Sequence, residues 1–206
     1  MQTIRVDHPE AVAKAAAVLR SGGVILYPTD TLYGLGADAL SDAAVAKVRE
    51  IKGRDAQKPI HAIIADVEMA NRYGEVNEKA FALMCAYMPG PLTLILKKKA
   101  GIDTGIGKGM GTFGVRIPDN QFCVDVARIF GNPFTTTSAN AAGAEPERSI
   151  EKILTQLGEK ADLIDLVIDA GEMPERLPST VVDVSSGEAK VLREGAINTQ
   201  LLSVDK

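Results

Sequence analysis

The chain has 206 residues, 46% hydrophobic and 4% aromatic with no Trp, so it carries one core's worth of Ala, Val, Ile and Leu, the composition of a sheet covered by helices. A net charge of −4 excludes a general polyanion binder, two cysteines exclude a disulfide framework, and two histidines exclude a His-rich metal centre or a Ser-His-Asp triad assembled from several candidates. No apolar run is long enough to span a bilayer.

The opening MQTIRVDHPE has no apolar leader core, and a cytoplasmic location is expected. A first helix is predicted from near Pro9, capped by Asp7 or His8, to Gly22-Gly23, with Val12, Ala15, Ala16 and Leu19 on its buried face. Val24–Tyr27 reads as a fully apolar central strand that Pro28 ends, and Pro28–Gly36 as a loop. Ser41 caps a helix running to about Lys52, and a strand follows over Ile60–Ala65. Asn77–Met88 is the next helix, with Phe81, Met84, Cys85 and Met88 on one face; Cys85 and Cys123 are both expected buried as small hydrophobes. Leu92–Leu96 is a strand, Gly101–Gly111 a mobile loop, and Val115–Pro118 a strand end. Phe122, Val126, Ile129 and Phe130 mark one further helix, and Ile150, Ile153, Leu154 and Leu157 another. Leu163–Asp169, Thr180–Val184 and Val191–Arg193 complete the strands, the last two as a hairpin through Ser185-Ser186-Gly187. This alternation predicts an α/β fold: a single-domain twisted open mixed sheet flanked by helices, one domain over residues 1–206 with its core at about 10–195.

Five connections concentrate polar side chains suited to chemistry. Pro28–Gly36 follows a central strand, where α/β sheets bind ligands; Thr29 and Thr31 offer hydroxyls and the glycines allow close approach. Its Gly34-x-Gly36-x-x-Ala39 spacing does not open a helix, so it is not a dinucleotide fingerprint. Lys52-Gly53-Arg54 with Lys58 puts three cations at a helix end, either a plain dipole and solvation effect or a triphosphate clamp. The glycine-rich stretch is no Walker loop, and its Gly109-x-Gly111-x-x-Gly114 precedes a strand; Thr112 and Arg116 are its candidates, Arg116 as partner of a carboxylate. Thr135–Asn140 ends in Ser138-x-Asn140, a hydroxyl and an amide that serve either a turn or a ligand. Ser179 and Arg193 can face one cavity across the hairpin. Cations, hydroxyls and amides suit positioning and charge neutralisation, the needs of nucleotidyl transfer to a small carboxylate.

In this order, Pro28–Gly36, Lys52-x-Arg54, Val115-Arg116-x-Pro118, Ser138-x-Asn140, Ser179-Thr180-x-Val182-Asp183 and Arg193-x-Gly195 resemble the YrdC family of threonylcarbamoyl-AMP synthases, in the YrdC/YciO superfamily, along nearly the whole chain. The resemblance implies that L-threonine, bicarbonate and ATP, with Mg²⁺ carried by the nucleotide and no metal set of the protein's own, give threonylcarbamoyl-AMP and pyrophosphate for tRNA modification. It implies Lys52 and Arg54 as catalytic cations; Lys52, Arg54, Lys58, Thr112, Asn140 and Arg193 around ATP; Thr31, Arg116, Ser138 and Ser179 around threonine; and Thr29, Tyr33 and His61 as further candidates. A weak tRNA or double-stranded RNA contact and a downstream threonylcarbamoyl transferase complex are the implied partners, with no membrane. The sequence departs from the family where many relatives carry a His, at Ile63, with His61 two residues earlier on the same strand face; Arg148 stands where some carry a small hydroxyl residue. Alternatives are a YciO-like paralogue that binds RNA or nucleotide without this activity, and the carbamoyl-transfer module of hydrogenase maturation factors, whose zinc fingers two cysteines cannot build.

Overall fold

The apolar run after Gly23 forms strand β2 (Ile25–Pro28), buried at every position, in a computed structural model that describes residues 1–53 and 59–202. Both edges of β2 are paired: β9 (Leu166–Asp169) runs parallel on one side and β3 (Tyr33–Gly36) antiparallel on the other. With β1 (Gln2–Arg5) beyond β9, they make a sheet in the order β1-β9-β2-β3. A second sheet has the order β11-β10-β6-β7-β4-β8, from Lys190–Arg193 (β11), Thr180–Asp183 (β10), Leu92–Lys98 (β6), Thr112–Arg116 (β7), His61–Ile63 (β4) and Phe134–Thr136 (β8), with Gly74–Glu75 (β5) also pairing with β6. Strand β6 pairs parallel with β10 and antiparallel with β7, so the sheet is mixed. The sheets meet where β3 passes β8: the Leu35 N–H donates to the Thr137 carbonyl and the Ala139 N–H to the Tyr33 carbonyl, both at 2.9 Å.

The helices are α1 (Ala11–Arg20), α2 (Asp42–Lys52), α3 (Val67–Tyr73), α4 (Glu78–Tyr87), α5 (Gln121–Phe130) and α6 (Ile150–Leu157). Side-chain caps fix several starts. Ser41 Oγ accepts from the Ala44 N–H at 3.3 Å, and Asp66, Asn77 and Asn120 accept from the N–H three residues on at 2.7, 2.8 and 3.2 Å. Each such cap stabilises its helix by about 1 kcal/mol. Gly53 ends α2 in the left-handed region at φ 59°, where a Cβ would be strained. No helix among the described residues is long and apolar enough to cross a membrane.

Several local expectations are corrected. Helix α1 starts at Ala11 without a side-chain cap, because His8 Nδ1 takes the Glu10 N–H at 3.1 Å before the helix begins. Strand β3 replaces the expected loop: Gly34 and Gly36 lie against the Tyr27 ring, where a Cβ would approach ring carbons to 3.2 and 2.9 Å. The buried face of α4 is Ala80, Leu83 and Met84, so Phe81 (53% exposed) and Cys85 point outward, while Cys123 is buried. The glycine-rich stretch is tied down rather than free. Asp42 Oδ1 accepts from the Gly105 N–H at 2.6 Å, Asp103 Oδ1 from the Gly109 N–H at 3.0 Å, and Lys108 reaches Asp42 at 2.5 Å.

Candidate active site

The chain turns sharply between β2 and β3, and Thr29 is spent on that turn. Its Oγ1 accepts from the Thr31 and Leu32 N–H groups at 3.1 Å and donates to the Leu32 carbonyl at 2.7 Å. The turn presents Thr31 to Arg116, at the end of β7, whose Nη1 donates to Thr31 Oγ1 at 3.0 Å. Both open onto a cavity of about 480 Å³. Its walls are the β2–β3 turn, His61 at the start of β4, Thr93 on β6, Arg116, Thr136–Ser138 at and beyond the end of β8, Glu145, Pro146 and Arg148, the strap Glu175–Ser179 before β10, and Arg193 at the end of β11. Strand ends from both sheets therefore converge on one space, the place where open α/β sheets bind ligands. Four arginines (Arg116, Arg148, Arg176, Arg193) and two glutamates (Glu145, Glu175) line it, with Arg116 paired to Asp30 and Arg148 to Glu172 just outside the lining.

On the β10–β11 side, Arg193 grips Ser179: Nη2 donates to its carbonyl at 2.8 Å and to its Oγ at 3.1 Å, and Nε to the same carbonyl at 3.2 Å. Ser179 Oγ also lies 2.9 Å from Thr93 Oγ1, both buried. On the opposite wall Ser138 Oγ donates to Asn140 Oδ1 at 2.5 Å. Behind it lies Lys52, 5% exposed, whose ammonium donates to the Ser138 carbonyl (2.5 Å), the Asn140 carbonyl (2.9 Å) and Asn140 Oδ1 (3.0 Å). The Asn140 amide nitrogen is held by the Ala141 and Ala144 carbonyls at 3.1 and 2.5 Å. Lys52 and Asn140 thus buttress the wall that carries Ser138, and neither lines the cavity. Tyr33 does line it, but its hydroxyl is committed to the strand end, donating to the Gly171 carbonyl at 2.8 Å and accepting from the Ala170 N–H at 2.9 Å. Burial raises its pKa, which keeps it a neutral donor.

Thr29, Thr31, Tyr33, His61, Arg116, Ser138, Ser179 and Arg193 therefore share one cavity. Thr112 stands apart at the other end of β7, paired with Lys97 and about 13 Å along the strand from Arg116. Arg54 and Lys58 lie outside the described residues. Sequence reasoning missed Thr93, Glu145 and the strap residues Glu175, Arg176 and Leu177. Thr93 had one signal: it is the lone polar residue inside the apolar run Leu92–Leu96. Among the described residues no group of His, Cys, Asp and Glu side chains is placed to hold a metal ion.

The comparisons agree with this architecture. Residues 17–195 match the family model Sua5/yciO/yrdC, described as "Telomere recombination". The mouse threonylcarbamoyl-AMP synthase is 38% identical over 196 residues, 90% of this chain and 67% of that protein. The crystal structure of Pyrococcus abyssi Sua5 complexed with L-threonine superposes with a TM-score of 0.87 at 31% identity over 98% of this chain, which spans 59% of that protein's length. Escherichia coli YciO superposes with a TM-score of 0.82 at 28% identity over 97% of both chains. The chain belongs to the Sua5/YciO/YrdC family.

Proposed function

We propose that this chain is a threonylcarbamoyl-AMP synthase, a nucleotidyltransferase that joins L-threonine, bicarbonate and Mg-ATP. The observation that carries the reading is the convergence of Arg116 and Arg193 from strand ends, and of Ser138 and Ser179 from the segments beside β8 and β10, on one arginine-lined cavity, in a fold shared with a Sua5 complexed with L-threonine. The threonine amine attacks bicarbonate carbon and water leaves, giving a carbamate. The carbamate oxygen then attacks the α-phosphorus and the bond to pyrophosphate breaks. Nucleotidyl transfer of this kind needs aligned reactants and neutralised charge more than it needs a protein nucleophile. Arg116 and Thr31 are assigned to the threonine carboxylate, and Ser138 and Ser179 to its polar groups. Arg193 is assigned to the nucleotide. Lys52 acts by its field and by holding Ser138 and Asn140 in place. Arg54 and Lys58, on the segment that follows Lys52, are assigned to the phosphates by the family pattern alone. Thr112, at the other end of β7 from Arg116, is assigned to the nucleotide by the family pattern alone. A cytoplasmic location, a weak tRNA or double-stranded RNA contact and hand-over to a downstream threonylcarbamoyl transferase complex complete the proposal.

The test is pyrophosphate release from Mg-ATP with and without L-threonine and bicarbonate. Release that requires both supports the synthase. No release from folded, ATP-binding protein overturns it in favour of a YciO-like binding role, which the close fit to YciO keeps as the second reading.

A further inference from the structure

The cavity's deepest cation is tied to an acid that the functional assignment leaves unused. Arg116 and Asp30 form a buried ion pair, Nη2 to Oδ1 2.5 Å, with side chains only 5% and 7% exposed. The same guanidinium donates through Nη1 to Thr31 Oγ1 at 3.0 Å and through Nε to the Gly90 carbonyl at 3.2 Å. Three acceptors from separate positions thus fix its plane. A guanidinium has five N–H groups, so five less three leaves two for a ligand in the cavity that Arg116 lines. The groups packed beneath are neutral. Tyr27 hydroxyl donates to the Thr135 carbonyl at 3.1 Å and Cys123 Sγ to the Pro28 carbonyl at 3.3 Å, and burial pushes both titrations upward. Asp30 is also locked from the other side: its carbonyl accepts from Nη1 of Arg176, on the strap, at 2.6 Å.

We propose that Asp30 is a positioning residue, whose carboxylate holds the Arg116 guanidinium in the one orientation that offers its two remaining N–H groups to the carboxylate of the amino-acid substrate. The inference rests on the synthase reading for the identity of that ligand. An arginine side chain is long and rotamer-rich, so anchoring it before the ligand arrives removes an ordering cost from binding. A charge-assisted bond also fixes direction more firmly than a neutral one. Thr31 and the Gly90 carbonyl alone leave Nη2 without an acceptor among these contacts and allow the plane to tilt.

Calorimetric titration of L-threonine, and separately of Mg-ATP, into wild type and Asp30 variants tests this. Asp30→Ala is expected to weaken threonine binding about 10–100-fold, the range for loss of a charge-assisted bond. Asp30→Asn keeps shape and an acceptor oxygen and is expected to lose about 3–10-fold, and Asp30→Glu restores the charge and most of the affinity. ATP affinity is expected to stay within about twofold in all three, a split that general loss of structure does not produce. If Asp30→Ala does not fold, Asp30→Asn and Asp30→Glu decide. Unchanged or tighter threonine binding in the charge-free variants overturns the proposal, as does an equal loss for threonine and ATP. Wild-type protein that binds ATP but no threonine overturns the synthase reading itself, and that arm is read without any variant.

Discussion

Gly114 in the middle of β7 offers a sharp test of how the cavity wall is built. A Cβ placed on it lies 2.5 Å from Cδ2 and 3.1 Å from Cγ of His61, and 3.0 Å from Cδ1 of Ile95. Comfortable carbon contacts begin at about 3.5–4.0 Å, so the imidazole must retreat by about 1 Å or more. The backbone at Gly114 is not in the left-handed region, so alanine itself is tolerated there and the penalty comes from packing. Overpacking of this kind costs about 1–3 kcal/mol, and the lower unfolded-state entropy of alanine offsets about 0.4–1 kcal/mol. Gly114→Ala is therefore expected to destabilise by about 1–2 kcal/mol, a melting shift of about 2–8 °C for a chain of this size. In a His61→Ala background the imidazole is gone and the same substitution is expected to be near neutral, giving a coupling of about 1–2 kcal/mol in a double-mutant cycle read by thermal or urea unfolding. Additive effects of the two substitutions would refute the account of Gly114 as the seat of His61.

Lys52→Ala removes the donor shared by the Ser138 carbonyl, the Asn140 carbonyl and Asn140 Oδ1; turnover in the pyrophosphate assay is expected to fall by about 2–4 kcal/mol in activation free energy, and full activity in folded protein sinks the role. Thr93→Val keeps shape but removes the hydroxyl beside Ser179; threonine KM is expected to rise about 5–10-fold, and an unchanged KM counts against a role for that pair. The Lys108 ammonium and the Gly105 N–H hold the Asp42 carboxyl below its ordinary pKa, and the Gly109 N–H and the Lys98 charge do the same for Asp103. Acids with depressed folded pKa values add stability above the ordinary carboxylate pKa and lose it as pH falls through the folded values. Hydrogen exchange is expected to show Gly105 and Gly109 losing protection in that acidic window, while pH-independent protection argues that these carboxylates do not hold the loop.

Some of this structure was legible in the sequence because its cause is local. The helix over Asp42–Lys52 declares itself through Ser41, the apolar spacing and Gly53, and β2 through an unbroken apolar run. Strand β3 was hidden because its glycines read as loop punctuation, whereas they are there to let the Tyr27 ring lie against the backbone. Helix α4 shows the converse failure: Phe81 and Cys85 fit an apolar stripe, but Leu83 and Met84 take the core side and leave them outside. The glycine-rich stretch looked free because one of its two carboxylate restraints, Asp42, lies more than sixty residues away in sequence, and the other, Asp103, read as an ordinary loop acid. In the site, motif residues on strand ends were visible. The wall-building roles of Lys52 and Asn140, and the arrival of Arg176 on a strap, depend on contacts that no local pattern records.

The position of β9 also shapes how the chain is born. β1 and β2 do not pair; β9 sits between them and pairs parallel with each, across more than 130 residues from β2. A nascent chain therefore carries the apolar Ile25–Tyr27 with one strand edge unfilled until Leu166–Asp169 leaves the ribosome. At about 5–20 residues per second that interval is about 7–30 s. During it the β2–β3 hairpin can form, but the wall that faces it across the finished sheet cannot, so the first half of the protein depends for solubility on whatever shields that edge while the second half is made.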